Sequence, residues 1–92
     1  MNKPIQYSNL FAKHFSKRIK PYPKLSILVG QKIKVFLINP SLVKDHALIG
    51  RKVGKRSFSI GGDLRIVYVD LGDRFLFLDI GTHNQVYLKM YL

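Results

Sequence analysis

The chain has 92 residues, 16 Lys+Arg against five acidic residues, and a formal net charge of +11. That length supports one small domain with a single core, and 47% hydrophobic residues with no cysteine exclude a disordered chain, a disulfide framework and a thiolate metal site. All five acidic residues are Asp, and so large an excess of cations on so short a chain calls for a polyanionic partner, either a phosphate backbone or an acidic protein.

In chain order, Ile5-Gln6-Tyr7 alternates and suits a short edge strand. Ser8 or Asn9 can cap a helix over about Asn9–Ile19, where Leu10, Phe11, Phe15 and Ile19 recur at helical spacing while Lys13, Lys17 and Lys20 fall elsewhere. Pro21 and Pro23 end it. A second helix is expected over Lys24–Ile38, with an apolar stripe of Leu25, Leu28, Val29, Ile33, Phe36 and Leu37. The Ile33–Leu37 stretch also reads as a strand. Asn39-Pro40 is a stop signal. Ser41–Lys55 has no period and reads as a loop with one helical turn after Pro40. Its cations Lys44, Arg51, Lys52 and Lys55, with the adjoining Arg56, are candidate phosphate contacts, or else a solvated basic connector.

Three apolar-rich runs follow, separated by Gly61-Gly62 and Leu71-Gly72-Asp73. Phe58 and Ile60 oppose Ser57 and Ser59 in the first; Leu64, Ile66 and Tyr68 oppose Arg65, Val67 and Val69 in the second. Phe75–Ile80 is apolar on both faces up to Asp79. These are consecutive antiparallel strands. In Asn84–Leu92, Val86, Leu88 and Met90 alternate with Tyr87, Lys89 and Tyr91, which suits a last strand or an irregular tail. The expected fold class is α+β: two N-terminal helices, joined as a hairpin, packed on a twisted antiparallel sheet of four strands or so, forming a single domain over residues 1–92. No apolar run approaches the roughly 20 residues of a membrane span. With no apolar leader at the N-terminus, the expectation is a cytoplasmic protein that contacts no membrane.

Few groups can carry chemistry. Cleaving RNA without a metal needs a base for the 2′-OH, an acid for the leaving 5′-oxygen and cations for the developing phosphate charge. Histidine suits both proton roles, and the chain has His14, His46 and His83. His14, between Phe11 and Phe15, reads as a boundary residue beside the core. His46 and His83 stand in loop-like settings, where residue type alone favours a structural role over a catalytic one. No metal-ligand spacing, P-loop or nucleophile elbow is present, so no metal and no cofactor are expected.

Four elements in order are more specific: Lys44-Asp45-His46-x-Leu48-x-Gly50, Arg56-Ser57-Phe58, Asp63-Leu64-Arg65-Ile66-x-Tyr68, and Gly81-Thr82-His83 followed by Val86-Tyr87. Together they resemble the RelE/ParE toxin superfamily, and within it the YafQ-like branch of ribosome-dependent endoribonuclease toxins, over roughly Tyr7–Tyr87. The resemblance implies a toxin that cleaves mRNA in the ribosomal A site, with the ribosome, that mRNA and an acidic antitoxin encoded alongside as partners. It also implies functional roles for His46, Asp63, His83 and Tyr87, with His83 transferring a proton and Tyr87 helping to position the substrate. Three positions depart from the family pattern. Ser59 stands where a third histidine is expected, Leu64 where a tryptophan is, and Asp79 where an arginine is; a carboxylate there is expected to oppose the phosphate. Arg65, aided by Lys55 and Arg56, is expected to supply the missing cation, sharing a face with Asp63 by strand alternation. Two other readings share this fold: a non-catalytic ParE-type toxin that inhibits a protein target such as gyrase, and an inactive basic RNA-binding module.

Overall fold

The computed structural model describes residues 3–48 and 54–88. The elements run β1 (Ile5–Tyr7), α1 (Asn9–Arg18), α2 (Pro23–Ile38), a 3-10 turn (Pro40–Val43), β2 (His46–Ala47), β3 (Arg56–Gly61), β4 (Leu64–Asp70), β5 (Phe75–Thr82) and α3 (His83–Leu88). The helix starts follow local chemistry. The Ser8 hydroxyl accepts from the Phe11 N–H at 3.0 Å and donates to the Leu78 carbonyl at 2.8 Å, so one residue caps α1 and fastens it to the sheet. Pro23 opens α2, where a missing N–H costs nothing. The β-branched stretch Ile33–Leu37 is helical: Phe36 must point from a helix into the core, and that packing overrides strand propensity.

The sheet order is β1-β5-β4-β3-β2. The strands β2 to β5 form an antiparallel meander. The sheet thus departs from the expected antiparallel array of about four strands: β1 pairs with β5 in parallel, Ile5 opposite Phe75. Between Val67 and Tyr68 the β4–β5 register slips, so that Val67 faces Asp79 and Tyr68 faces Phe77. Leu78 is the extra residue of this bulge, and its carbonyl is the one that Ser8 engages.

The core lies between the sheet and the first two helices. Phe36 is fully buried and centres it, stacked on Phe58 at 4.3 Å and edge-on to Tyr68, Phe75 and Phe77 at 4.9, 5.0 and 6.0 Å. Phe11, Ile19, Val29, Val43, Ile60, Ile66 and Ile80 complete the cluster. Each such side chain contributes about 1.5–3 kcal/mol by leaving water.

The last segment corrects the expectation of a strand or irregular tail: His83–Leu88 is a helix. Thr82 and Gln85 cap it reciprocally. The Thr82 N–H donates to Gln85 Oε1 at 2.8 Å and the Gln85 N–H to Thr82 Oγ1 at 3.3 Å, which is a capping box. Val86 is fully buried but stands outside the main core cluster, on the opposite face of the sheet.

Candidate nucleic-acid interface

Register decides which polar side chains share the face away from α2. Paired residues of an antiparallel ladder point the same way, and residues two apart along a strand stay on one face. One row therefore crosses the sheet as His46, Ser57, Val67 and Asp79. The next row is Ser59, Arg65 and Gly81. Helix α3 lies over this face. Its Tyr87 hydroxyl donates to the buried Ser57 hydroxyl at 2.7 Å, and the exposed His83 ring stands edge-on to the Tyr87 ring at 4.5 Å. Ser57, the register partner of His46, is thus the point that Tyr87 reaches from the helix carrying His83.

The arrangement prepares His46 for one role. Its Nδ1 is 3.0 Å from the Lys44 carbonyl. A carbonyl can only accept, so Nδ1 carries the proton and the neutral ring keeps its Nε2 lone pair for a base. Lys44 turns the chain here in the left-handed region, at φ 58° and ψ 38°. Asp45 between them faces inward. Its carboxylate accepts from Arg56 Nη2 at 2.6 Å and Nε at 3.2 Å, and from the Tyr68 hydroxyl. Burial, then the bond to Asp45, pushes the Tyr68 phenol well above its ordinary value. The bond to Asp45, foremost, raises the already cationic Arg56 guanidinium further.

The expected site residues therefore divide. His46, Arg65, His83 and Tyr87 belong to the α3 side of the sheet. Asp63 is not at the start of β4 as expected but in the exposed turn with Gly62, whose φ of 53° supplies the left-handed residue the turn requires. Alternation from Arg65 consequently does not place it. The pair Leu64–Thr82 does: Asp63 and His83 are the next residues outward at the same end of the β4–β5 ladder. Of the five carboxylates, Asp45, Asp70, Asp73 and Asp79 lie within 4 Å of an Arg or Lys nitrogen, whereas Asp63 has no such partner among the described residues. Lys44 is exposed beside His46. Lys55 precedes β3 on the side of Ser57 by alternation. Arg56 is on the opposite side, in the row of Tyr68 and paired with Asp45. Arg51, Lys52 and the motif glycine Gly50 lie outside the described residues. Arg65 Nε is buried with no hydrogen-bond partner among the described residues, a donor awaiting an acceptor.

Asp79 corrects the expectation of a carboxylate opposing the phosphate. It is 1% exposed, and its Oδ1 accepts from His14 Nδ1 at 2.6 Å and from the Ile80 N–H at 2.8 Å. Arg18 Nη1 is 3.7 Å away. The charge is neutralised from α1 rather than presented to a ligand. His14 does border the core, but as the partner of Asp79, a pairing between residues 65 apart that no local pattern signals. Among the described residues no three His or Asp side chains converge as metal ligands, and no helix is long and apolar enough to cross a membrane. On the helical side, an open apolar groove of about 610 Å³ runs between α1 and α2, lined by Phe11, Phe15, Val29 and Ile33 among others. Neither His46 nor His83 lines it.

No protein-family model matches the chain, and no curated protein matches it. Solved structures do. A chain of the DinJ–YafQ complex from Escherichia coli is 30% identical over 92% of this chain and 98% of its own, with a TM-score of 0.64. A copper-bound variant of a toxin from Helicobacter pylori is 25% identical over 95% and 100%, with a TM-score of 0.74. The YoeB/ParE toxin from Agrobacterium tumefaciens, at 18% identity over 87% and 98% and a TM-score of 0.72, shares the fold. With α1 and α2 on one side of the sheet and the face bearing His46 and α3 on the other, this chain belongs to the RelE/ParE toxin superfamily. Within it the chain is a YafQ-like toxin of the type II toxin–antitoxin class.

Proposed function

We propose that the chain is a ribosome-dependent endoribonuclease that cleaves mRNA in the ribosomal A site by acid–base chemistry at the 2′-OH, without a metal. The observation that carries this reading is the link from His46 through Ser57 to Tyr87 and His83, which gathers two imidazoles at one face. His46, with Nδ1 held by the Lys44 carbonyl, accepts the 2′-OH proton on Nε2; Asp63, which has no cation partner among the described residues, is the alternative base. His83 delivers a proton to the departing 5′-oxygen. The Arg65 guanidinium, whose Nε lacks a partner among the described residues, balances charge on the phosphorane, and Lys44 and Lys55 contact the flanking phosphates. The product is a 2′,3′-cyclic phosphate. The Tyr87 ring positions the nucleotide and braces His83.

The partner in the resting cell is an acidic antitoxin encoded alongside. A net charge of +11 attracts it, and the apolar groove between α1 and α2 gives its apolar side chains a seat. A toxin–antitoxin complex is what a DinJ–YafQ structure similar to this chain contains.

The test is translation-coupled mRNA cleavage by wild type, His46→Ala, His83→Ala and Asp63→Asn. Loss of one proton-transfer group lowers the rate by about 10²–10⁴-fold. Cleavage by His83→Ala at the wild-type rate removes His83 from the chemistry. Growth arrest with intact mRNA and altered DNA topology overturns the ribonuclease reading in favour of a ParE-type toxin.

A further inference from the structure

We propose that Asp79 is a positioning residue for His83, acting through a socket that α1 contributes beneath the start of α3. This rests on the reading of His83 as the proton donor. The physical problem is placement. Helix α3 spans only His83–Leu88, and a helix that short does not hold itself together in water. Its position, and therefore that of His83 at its first residue, is set by what it touches.

On one side it is held by Tyr87 on Ser57. The other side is built around Asp79. A carboxylate 1% exposed is costly unless paired and hydrogen-bonded, and both side-chain partners, His14 and Arg18, come from α1. His14 donates to it at 2.6 Å; Arg18 stands at 3.7 Å and donates to the neighbouring Ile80 carbonyl at 2.8 Å. His14 and Arg18 are four residues apart on one helix face. The carboxylate thus fastens α1 to β5 at residues 79 and 80, immediately before Gly81-Thr82-His83.

Gly81 shows what meets there. A Cβ built on it would lie 2.6 Å from Arg18 Nη1, 2.6 Å from Gln85 Oε1 and 3.1 Å from Gln85 Cβ, so an added methyl must displace the ends of those two side chains. Gly81 is not among the glycines of positive φ, so the requirement there is space rather than conformation. Gln85 Oε1 is the same atom that caps α3 by accepting from the Thr82 N–H. The guanidinium of Arg18 and the capping amide of Gln85 therefore close over Gly81 together, the guanidinium being held by the Ile80 carbonyl at 2.8 Å and by the charge of Asp79 at 3.7 Å. An aspartate where the family pattern has an arginine becomes the base on which an arginine from a different element is mounted.

The experiment uses the full chain: steady-state cleavage of mRNA on programmed ribosomes by Asp79→Asn, Gly81→Ala, Arg18→Ala and Arg18→Lys. NMR of the His83 ring accompanies it, reading its pH titration and its cross-relaxation with the Tyr87 ring. Misplacing the acid predicts that kcat falls by at least about tenfold in Asp79→Asn and Gly81→Ala with KM little changed. Arg18→Lys recovers part of what Arg18→Ala loses, and the His83–Tyr87 contact weakens. Wild-type kcat in folded Asp79→Asn and Gly81→Ala overturns the proposal. So does a drop in KM with unchanged kcat in Asp79→Asn, which marks Asp79 as a bare repulsive charge instead. If Asp79→Asn does not fold, Gly81→Ala and the Arg18 pair decide alone. If the wild type cleaves nothing, the ribonuclease reading fails and the NMR measurement decides: an undisturbed His83–Tyr87 contact in the variants refutes the socket, and a lost one supports it.

Discussion

Replacing Asp45 by Ala tests how the loop bearing His46 is held. The carboxylate accepts from two different elements: Arg56 on β3, through Nη2 at 2.6 Å and Nε at 3.2 Å, and Tyr68 on β4. Tyr68 is 2% exposed, so its hydroxyl would be left buried without an acceptor, at a cost of about 1–3 kcal/mol. The Arg56 side chain is 39% exposed and would rehydrate, so losing that pair adds no more than about 1 kcal/mol. The sum, about 1–4 kcal/mol, is a large part of the roughly 5–15 kcal/mol that holds a domain together. It corresponds to a fall in Tm of roughly 4–30 °C at this chain length. Urea or thermal unfolding followed by circular dichroism measures it. The paired variant Asp45→Ala with Tyr68→Phe should be more stable than Asp45→Ala alone, because no hydroxyl is then stranded. A loss below about 0.5 kcal/mol in Asp45→Ala, or no relief from Tyr68→Phe, would refute the anchoring role.

The Tyr68 phenol titrates above its ordinary value of 10.0 when folded, because burial and the Asp45 bond favour the neutral form. The stability it contributes is whole below pH 10 and is lost as pH rises beyond, when the unfolded chain can ionise and the native one resists. Unfolding midpoints in wild type should therefore fall more steeply above pH 10 than in Tyr68→Phe; parallel curves would count against it. At the acid end, Lys3 above all holds the exposed Asp70 below its usual 3.8, so its small contribution disappears only as pH falls under that value. Lys44→Gly removes a side chain from a left-handed position and is expected to stabilise the fold by up to about 1 kcal/mol. If the Lys44 ammonium meets phosphate, the same change weakens ribosome binding and flattens its salt dependence by about one counterion; an unaltered salt slope would exclude that contact.

Much of the fold was legible because its signals are local. Alternation of Ser57/Ser59 against Phe58/Ile60 forecast the two faces of β3, and Ser8 with the prolines forecast the helix limits. The candidate site was named from its order of short motifs, and the strand register, which those motifs do not contain, sets His46, Arg65, His83 and Tyr87 on one side of the sheet. Helix α3 was misread for an identifiable reason. Over six residues the alternation of Val86 and Leu88 fits a strand, and it obscured the capping box Thr82-His83-Asn84-Gln85, the local signal that favours a helix. Arg56 and Arg65 carry the same charge in the sequence and differ only in which side of a strand they occupy.

What the amino-acid sequence determined alone was the class of elements, their order and the excess of positive charge, since each depends on neighbours within a few residues. Only the tertiary structure decided that Asp79 is buried against His14 and Arg18, that Asp45 is bound to β3 and β4, and that Asp63 and His83 follow the Leu64–Thr82 pair at the same end of the β4–β5 ladder. These are contacts between residues far apart in the chain, 65 positions for His14 and Asp79. The energy of a charge depends on what folding brings to it: the same aspartate repels a phosphate in water and, buried against a guanidinium and an imidazole, becomes a fixed part of the frame.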